Sequence, residues 1–246
     1  MAEGGRILAE ILRKLSEAVK PGVTTQDLDR LARELLLFYK VEPAFLGYGG
    51  FPAVLCTSIN NEVVHGVPSQ RILKEGEIIS LDMGLVYQGF NLDSAVTVPV
   101  LGHHSYGEWA KSNQKLSKLL QVTKEALNAG INQVRIGNKI GKIGHAIQAV
   151  IESNGFGVVR ELVGHGIGRN LHEEPQVPNF GSEKEGVKLE EGMVIAIEPM
   201  VTTGDWRVVL GKDKFTYRTK DGSSAAHFEH TVAVTKDGPL VLTLAQ

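Results

Sequence analysis

The sequence predicts an α+β protein built from two related halves that share one largely antiparallel sheet, with helices on its outer side. Three observations predict it. The stretch "LKEGEIISLD" at 73–82 returns as "LEEGMVIAIE" at 189–198, each an apolar run that starts after Glu-Gly and closes on a carboxylate. The run "DSAVTV" from Asp93 is echoed by "EHTVAV" from Glu229. In each half, helix-like segments come first and a pair of strand-like runs follows. The whole chain, 1–246, is read as a single domain with halves of about 1–103 and 104–246.

Composition narrows the class. With 42% hydrophobic and 22% charged residues the chain is ordinary globular material. Lys plus Arg number 26 against 28 Asp plus Glu, a net charge of −2, so no global basic field supports nucleic-acid binding. Cys56 is the sole cysteine, which precludes an intrachain disulfide and suits a reducing compartment. Glu3 and Glu10 interrupt "MAEGGRILAEIL", so no signal peptide is expected. No run approaches the ~18 apolar residues of a membrane span. A cytoplasmic protein is expected.

The elements follow in order. Ile7, Leu8, Ile11, Leu12 and Leu15 recur at helical spacing, and "KPGVTT" at 20–25 breaks that helix. Thr25 is expected to cap a second helix that carries Leu28, Leu31, Leu35 and Leu36. A Gly/Pro/aromatic loop spans 41–52, and 53–65 reads as strand with a turn at Asn60-Asn61. "EIISLDMGLVY" and "FNLDSAVTVPV" form a hairpin, its turn centred between Tyr87 and Gln88. One helix is expected from about 107 to 129, and another over "VRIGNKIGKIGHAIQAVIESNG", with Gly155 as its C′ residue. A Gly-rich loop, "LVGHGIGRNLHEEP", leads to a second strand pair in "MVIAIEPMV" and "FEHTVAVT".

The hairpin register sets Asp82 opposite Asp93, and Glu198 and Glu229 repeat the arrangement. A single such acid would be a solvated strand end. Four at matched positions converge where the halves meet, and like charges there repel unless cations bridge them. His165 and His172 lie in the Gly-rich segment, where backbone approaches a ligand closely. Carboxylates with imidazole suit Mn, Fe, Co or Zn better than Ca or Mg. Four acids and one histidine suffice for two metals, which together activate a water.

With these motifs in place the sequence resembles the type I methionine aminopeptidases, metallopeptidases of the pita-bread fold. "NNEVVHGVP", "SLDMG", "NLDS", "ELVGHGIGR", "HEEP", "AIEPM" and "HFEHT" carry the resemblance, in order and over essentially the whole chain. It implies removal of N-terminal methionine from nascent or newly made chains, with a small second residue preferred. It implies Asp82, Asp93, His165, Glu198 and Glu229 as ligands of two divalent ions, with Asp93 and Glu229 bridging. His65 would contact substrate near the scissile amide, His172 the carbonyl oxygen, and Glu198 would also be the general acid/base. Phe45, Tyr48, Phe51, Cys56, Leu171 and Phe215 would line the methionine pocket. Phe45, Leu92, Leu171 and the long stretch 204–215 depart from the common family pattern. The implied partners are N-termini of nascent polypeptides, with transient ribosome contact, no membrane, no nucleic-acid substrate and a monomeric state. His103, His104 and His145 are expected on the surface, and His230 on the sheet face opposite Glu229. Two alternatives stand beside this reading. One is an X-Pro aminopeptidase or prolidase; the other is a non-catalytic protein of the same fold acting on ribosomes or RNA.

Overall fold

The computed structural model describes residues 1–244, so the last two residues of the expected domain lie outside the description. Two helices open the chain, α1 (Ala2–Ala18) and α2 (Thr25–Tyr39). Strands β1 (Glu42–Pro43), β2 (Cys56–Ile59) and β3 (Glu62–Val64) precede the long hairpin β4 (Ile78–Tyr87) and β5 (Phe90–Pro99). Helices α3 (Tyr106–Ser112), α4 (Gln114–Ile131) and α5 (Ile140–Ser153) begin the second half. There follow β6 (Gly157–Val158), β7 (Gly164–Gly166), β8 (Glu173–Val177), β9 (Val194–Ile197) and β10 (Met200–Thr202). The chain closes with β11 (Val208–Leu210), β12 (Tyr217–Thr219), β13 (Ala225–His227), β14 (Glu229–Thr235) and β15 (Gly238–Val241).

A nine-stranded sheet runs through both halves in the order β1-β4-β5-β14-β9-β7-β8, with β2 beside β4 and β15 beside β14. Its strand pairs are antiparallel. The seam between halves is β5 against β14, where Glu229 pairs with Ala95 and His230 with Ser94. Both repeats thus reach the same sheet, as expected. The extra length of the second half supplies β11, β12 and β13, which complete two small sheets, β13-β10-β6 and β11-β12-β3.

Helices cover one face. Leu8, Ile11 and Leu15 of α1, with Leu28, Ala32 and Leu36 of α2, pack on Leu81, Met83, Leu85 and Leu92. Leu119, Leu120, Ile143, Ile147 and Ile151 of α4 and α5 pack on Ile195, Ile197 and Val232. Each fully buried aliphatic side chain here stabilises by about 1.5–3 kcal/mol relative to exposure. Alternation along a strand then presents the odd-out residues, including the acids, to the opposite face. Leu92, one of the departures, is spent on this core: it lies beside Gly4 of α1, where an added Cβ would come within 3.0 Å of it.

Several local expectations need correction. Thr24, not Thr25, caps α2: it is extended, and its hydroxyl accepts from the Asp27 N–H in a capping box. Thr25 instead exchanges hydrogen bonds with the Ser69 backbone at 2.8 and 3.0 Å. The helix expected over 107–129 is two, because the Asn113 side chain and N–H both turn back to the Trp109 carbonyl. Residues 134–139 are not helical. Their backbone pairs with the strand-like run at 187–189, through Gly137 to Leu189 at 2.9 Å and Leu189 to Asn138 at 2.7 Å. Gly155 does follow α5 with φ 76°, as expected of a C′ residue.

The hairpin turn is also displaced. Gln88 and Gly89 both have positive φ, 51° and 77°, giving the two-residue turn that matches strand twist. The register therefore sets Tyr87 against Phe90, Asp82 against Ala95 and Gly84 against Asp93. Asp82 and Asp93 are diagonal neighbours on one face, not a directly opposed pair.

Candidate metal centre

The corrected register explains how four acids share a site. Asp82 pairs with Ala95, and Ala95 with Glu229. The β9–β14 register, His230 to Ile197, continues to place Glu198 at Glu229. Asp82, Ala95, Glu229 and Glu198 thus form one row across the sheet, and Asp93 projects one pleat away from Ala95. A small residue in the middle of the row leaves the space that the carboxylates surround.

His165 comes to this row from β7, which is squeezed between β8 and β9. A Cβ on Gly164 would lie 2.3 Å from the Ala196 carbonyl oxygen, and one on Gly166 2.2 Å from that of Glu174. Only glycine fits on either side of the histidine, which is the physical content of the "GHG" run. The His165 ring sits 2.8 Å from the Gly166 carbonyl through Nδ1, so Nδ1–H donates and Nε2 is free as a ligand. Nε2 lies 3.8 Å from a Glu198 oxygen.

Ligand-type atoms of Asp93, His165 and Glu229 lie within 4.8 Å of one another. Asp82 Oδ1, Asp93 Oδ1 and Glu229 Oε1 are buried without a hydrogen-bond partner among the described residues. Three orphaned carboxylate oxygens beside a free imidazole nitrogen are the donor set of a borderline divalent cation. Burial pushes the Asp82 carboxyl up to about 7, against a lowering hydrogen bond from Asp93. Asp93, Glu198 and Glu229 are also raised, by burial first and then by neighbouring carboxylates. Burial, and then His172, holds His165 down to about 4, in the neutral form that binds metal. The residues present fit a cation cluster.

Every residue expected as a ligand, a catalytic group or a pocket wall borders one cavity of about 180 Å³. Asp82, Asp93, His165, Glu198 and Glu229 form its acidic end. Phe45, Tyr48, Phe51, Cys56, Leu171 and Phe215 form its apolar wall, with Phe51 and Phe215 edge to face at 5.5 Å. His65 and His172 stand at the junction. His65 holds a left-handed backbone, φ 58°, a conformation adopted by only a few per cent of non-glycine residues and concentrated at functional sites. Of the remaining histidines, His104 and His145 are exposed beside Glu75 and Glu183, as expected. His230 points away from the acids to Thr243, at 2.9 Å.

Several contributors escaped the sequence reading. His227 is 1% exposed, has no hydrogen-bond partner at either ring nitrogen among the described residues, and lies with Nε2 3.7 Å from the second Glu198 oxygen. Burial, and then His65, holds it down to about 3, so it is neutral. Its place in "HFEHT" was visible, but nothing in the sequence said that β13 would turn it toward Glu198. Asn179 donates to the Glu198 carbonyl at 3.0 Å. Gly84 makes room for an aromatic: a Cβ there would meet Phe45 Cε1 at 2.7 Å. Asn91 donates to the Gly168 and Arg169 carbonyls at 3.3 and 3.0 Å, which ties the hairpin tip to the loop carrying Leu171 and His172.

Comparison with known proteins shows the family. Residues 1–236 match metallopeptidase family M24. The chain is 48% identical to a methionine aminopeptidase of Clostridium acetobutylicum, over 100% of this chain and 95% of that one. It is 44% identical to methionine aminopeptidase 1 of Bacillus subtilis, over 99% and 94%. The crystal structure of a methionine aminopeptidase from Thermotoga maritima superposes with TM-score 0.92 at 44% identity, covering 99% of this chain and 94% of that one. A prolidase from Pyrococcus horikoshii shares the fold at 22% identity and TM-score 0.75, but this chain covers only 61% of it. These full-length matches show that the chain belongs to metallopeptidase family M24, among its methionine aminopeptidases.

Proposed function

We propose that Asp82, Asp93, His165, Glu198 and Glu229 would hold two divalent cations (Co, Mn, Fe or Zn), with Asp93 and Glu229 serving both. The chain is a metal-dependent exopeptidase of the hydrolase class that removes N-terminal methionine, as its full-length relatives are named to do. The observation that carries the site is the set of three buried, unpartnered carboxylate oxygens in one cavity.

When bound, such cations polarise a carbonyl and acidify a water near neutral pH. The chain's own groups do the rest. The acidic end of the cavity accepts the substrate's free α-amine, which confines cleavage to the first residue. Phe45, Tyr48, Phe51, Cys56, Leu171 and Phe215 enclose the methionine side chain, where aromatic contacts to its sulfur are favourable by about 0.3–1.5 kcal/mol. Glu198 takes the proton from water and returns it to the departing amine. His172 donates to the oxygen on which charge develops, and His65 contacts the scissile amide. A small second substrate residue is preferred. The work is on nascent or newly made chains in the cytosol, by a monomer in transient contact with the ribosome. Among the described residues no helix is long and apolar enough to cross a membrane.

Methionine release from Met-Ala-Ser by metal-stripped protein tests the reading, with Mn, Fe, Co and Zn restored separately. N-acetyl-Met-Ala-Ser and an X-Pro peptide serve as controls. Metal-dependent release from the free amine alone is expected. No release with any tightly bound metal, or preferential X-Pro cleavage, overturns it.

A further inference from the structure

Across the mouth of the cavity, the Tyr48 hydroxyl lies 2.7 Å from His172 Nδ1. The two rings stand edge to face, with centroids 5.0 Å apart. On its other side the His172 ring meets His165 at 4.2 Å, nearly perpendicular. His172 is therefore held between a pocket-wall phenol and a metal-ligand histidine. We infer that Tyr48 is a positioning residue as well as a wall: its O–H donates to His172 Nδ1 and so fixes the proton of the neutral imidazole on Nε2. This rests on the oxyanion role given above to His172.

The direction of the hydrogen bond follows from the chemistry. A neutral imidazole has one donor and one acceptor nitrogen, and whichever nitrogen is already paired decides the other's state. A phenol is the better donor of the two groups, and imidazole nitrogen the better acceptor. The reverse arrangement would leave a lone pair on Nε2, which cannot donate to an oxygen that becomes negative. With Nδ1 taken up by the phenol proton, the imidazole's own proton has Nε2 as its place, so the tautomer is the variable that matters. A histidine held in the wrong tautomer loses its catalytic use even where geometry is intact.

The backbone around Tyr48 is built to hold it there. Gly47, Gly49 and Gly50 have φ of 83°, 55° and 85°. They wrap the segment into a tight turn closed by Gly47 N–H to the Phe51 carbonyl at 2.8 Å and Phe51 N–H to the Tyr48 carbonyl at 2.9 Å. Tyr48 itself stays 48% exposed, so little packing on the ring competes with the hydroxyl for control of its position. The opposite side of the mouth is fixed by Asn91. Both partners of the hydrogen bond thus come from loops that are separately tied down.

The test is a double-mutant cycle in the metal-loaded enzyme, Tyr48→Phe with His172→Ala, read as kcat and KM on Met-Ala-Ser. Phenylalanine keeps the wall and removes only the hydroxyl. Tyr48→Phe is expected to lower kcat about tenfold, the kinetic equivalent of one neutral hydrogen bond, with KM within about twofold of the parent. In the His172→Ala background the same change should cost nothing further. Nitrogen NMR of labelled His172 in the zinc-loaded enzyme should show hydrogen on Nε2 in the parent and a mixture of tautomers in Tyr48→Phe. Unchanged kcat, a raised KM alone, an equal loss in both backgrounds, or an unaltered tautomer would each overturn the inference. A normal rate in His172→Ala would remove His172 itself from the mechanism, a distinct failure that takes the inference with it.

Discussion

Thr231 and Asp93 are joined twice across the seam between the two halves. The Thr231 hydroxyl donates to the Asp93 carbonyl at 2.7 Å and accepts the Asp93 N–H at 3.0 Å. One hydroxyl on β14 therefore closes the ladder of β5 beside the expected bridging ligand. Thr231→Val keeps the shape and removes both bonds, leaving a buried donor and acceptor unpaired. A loss of about 1–3 kcal/mol in stability is expected. Supporting contacts of this kind typically cost 10–100-fold in metal affinity when removed, and metal titration should show that range. Unchanged affinity would mean that the seam bond serves folding only.

Asp93→Ala is expected to abolish turnover, since it removes a proposed bridging ligand and the tightest ligand-type cluster includes it. Metal stoichiometry and methionine release check this together. Full turnover by a folded variant would sink the bridging assignment.

Protonation of the acidic row should make the metal-free protein sensitive to pH. Folded-state carboxyl pKa values are raised, Asp82 to about 7 and Asp93, Glu198 and Glu229 upward as well. A raised pKa means the folded chain binds protons more tightly than the unfolded one. That stabilisation is fully present below the unfolded carboxylate range, ~4, and is lost as pH rises through about 7. The Tm of metal-free protein is therefore expected to fall between about pH 5 and about pH 8. Added zinc should raise Tm more at the upper pH and release protons on binding. Scanning calorimetry with and without metal measures both; a flat Tm in the metal-free protein would contradict the burial of these charges.

Gly84→Ala should damage the pocket and spare the metal site. The new Cβ would lie 2.7 Å from the Phe45 ring and 3.0 Å from the Ala44 Cβ, so the ring must move inward. A methylene-sized change in an apolar pocket is worth about 1–3 kcal/mol, so KM for methionine peptides should rise at least ~10-fold. Steady-state kinetics beside a metal titration separate the two effects. Equal losses in both would place Gly84 in the metal site instead.

Asn91→Ala should loosen the loop that presents Leu171 and His172, because the Arg169 carbonyl loses its donor and the Gly168 carbonyl keeps only the residue-91 N–H. A rise in KM and a fall in kcat are expected together, each several-fold, with metal affinity unchanged. A change in metal affinity alone would assign Asn91 to the carboxylate row.

Much of this was legible in the linear chain because it is periodic or local. The repeat of 73–82 in 189–198 announced two halves, alternation put Asp82, Asp93, Glu198 and Glu229 on one face, and the Gly-flanked His165 marked a close approach. Those features depend on the period of a strand and on the missing side chain of glycine, which residue order alone specifies. What only the tertiary structure decided depends on register and on contacts across the fold. The positive-φ turn at Gln88-Gly89 moved Asp93 from opposite Asp82 to opposite Gly84, and so aligned Asp82 with Ala95 and Glu229. His227 reached Glu198 only because β13 packs beside β10, and Asn91 reached the Gly168 loop across 77 residues of sequence. A side chain's type limits what it can do; which partner it meets is set by how strands and loops distant in sequence are packed, and no local pattern carries that information.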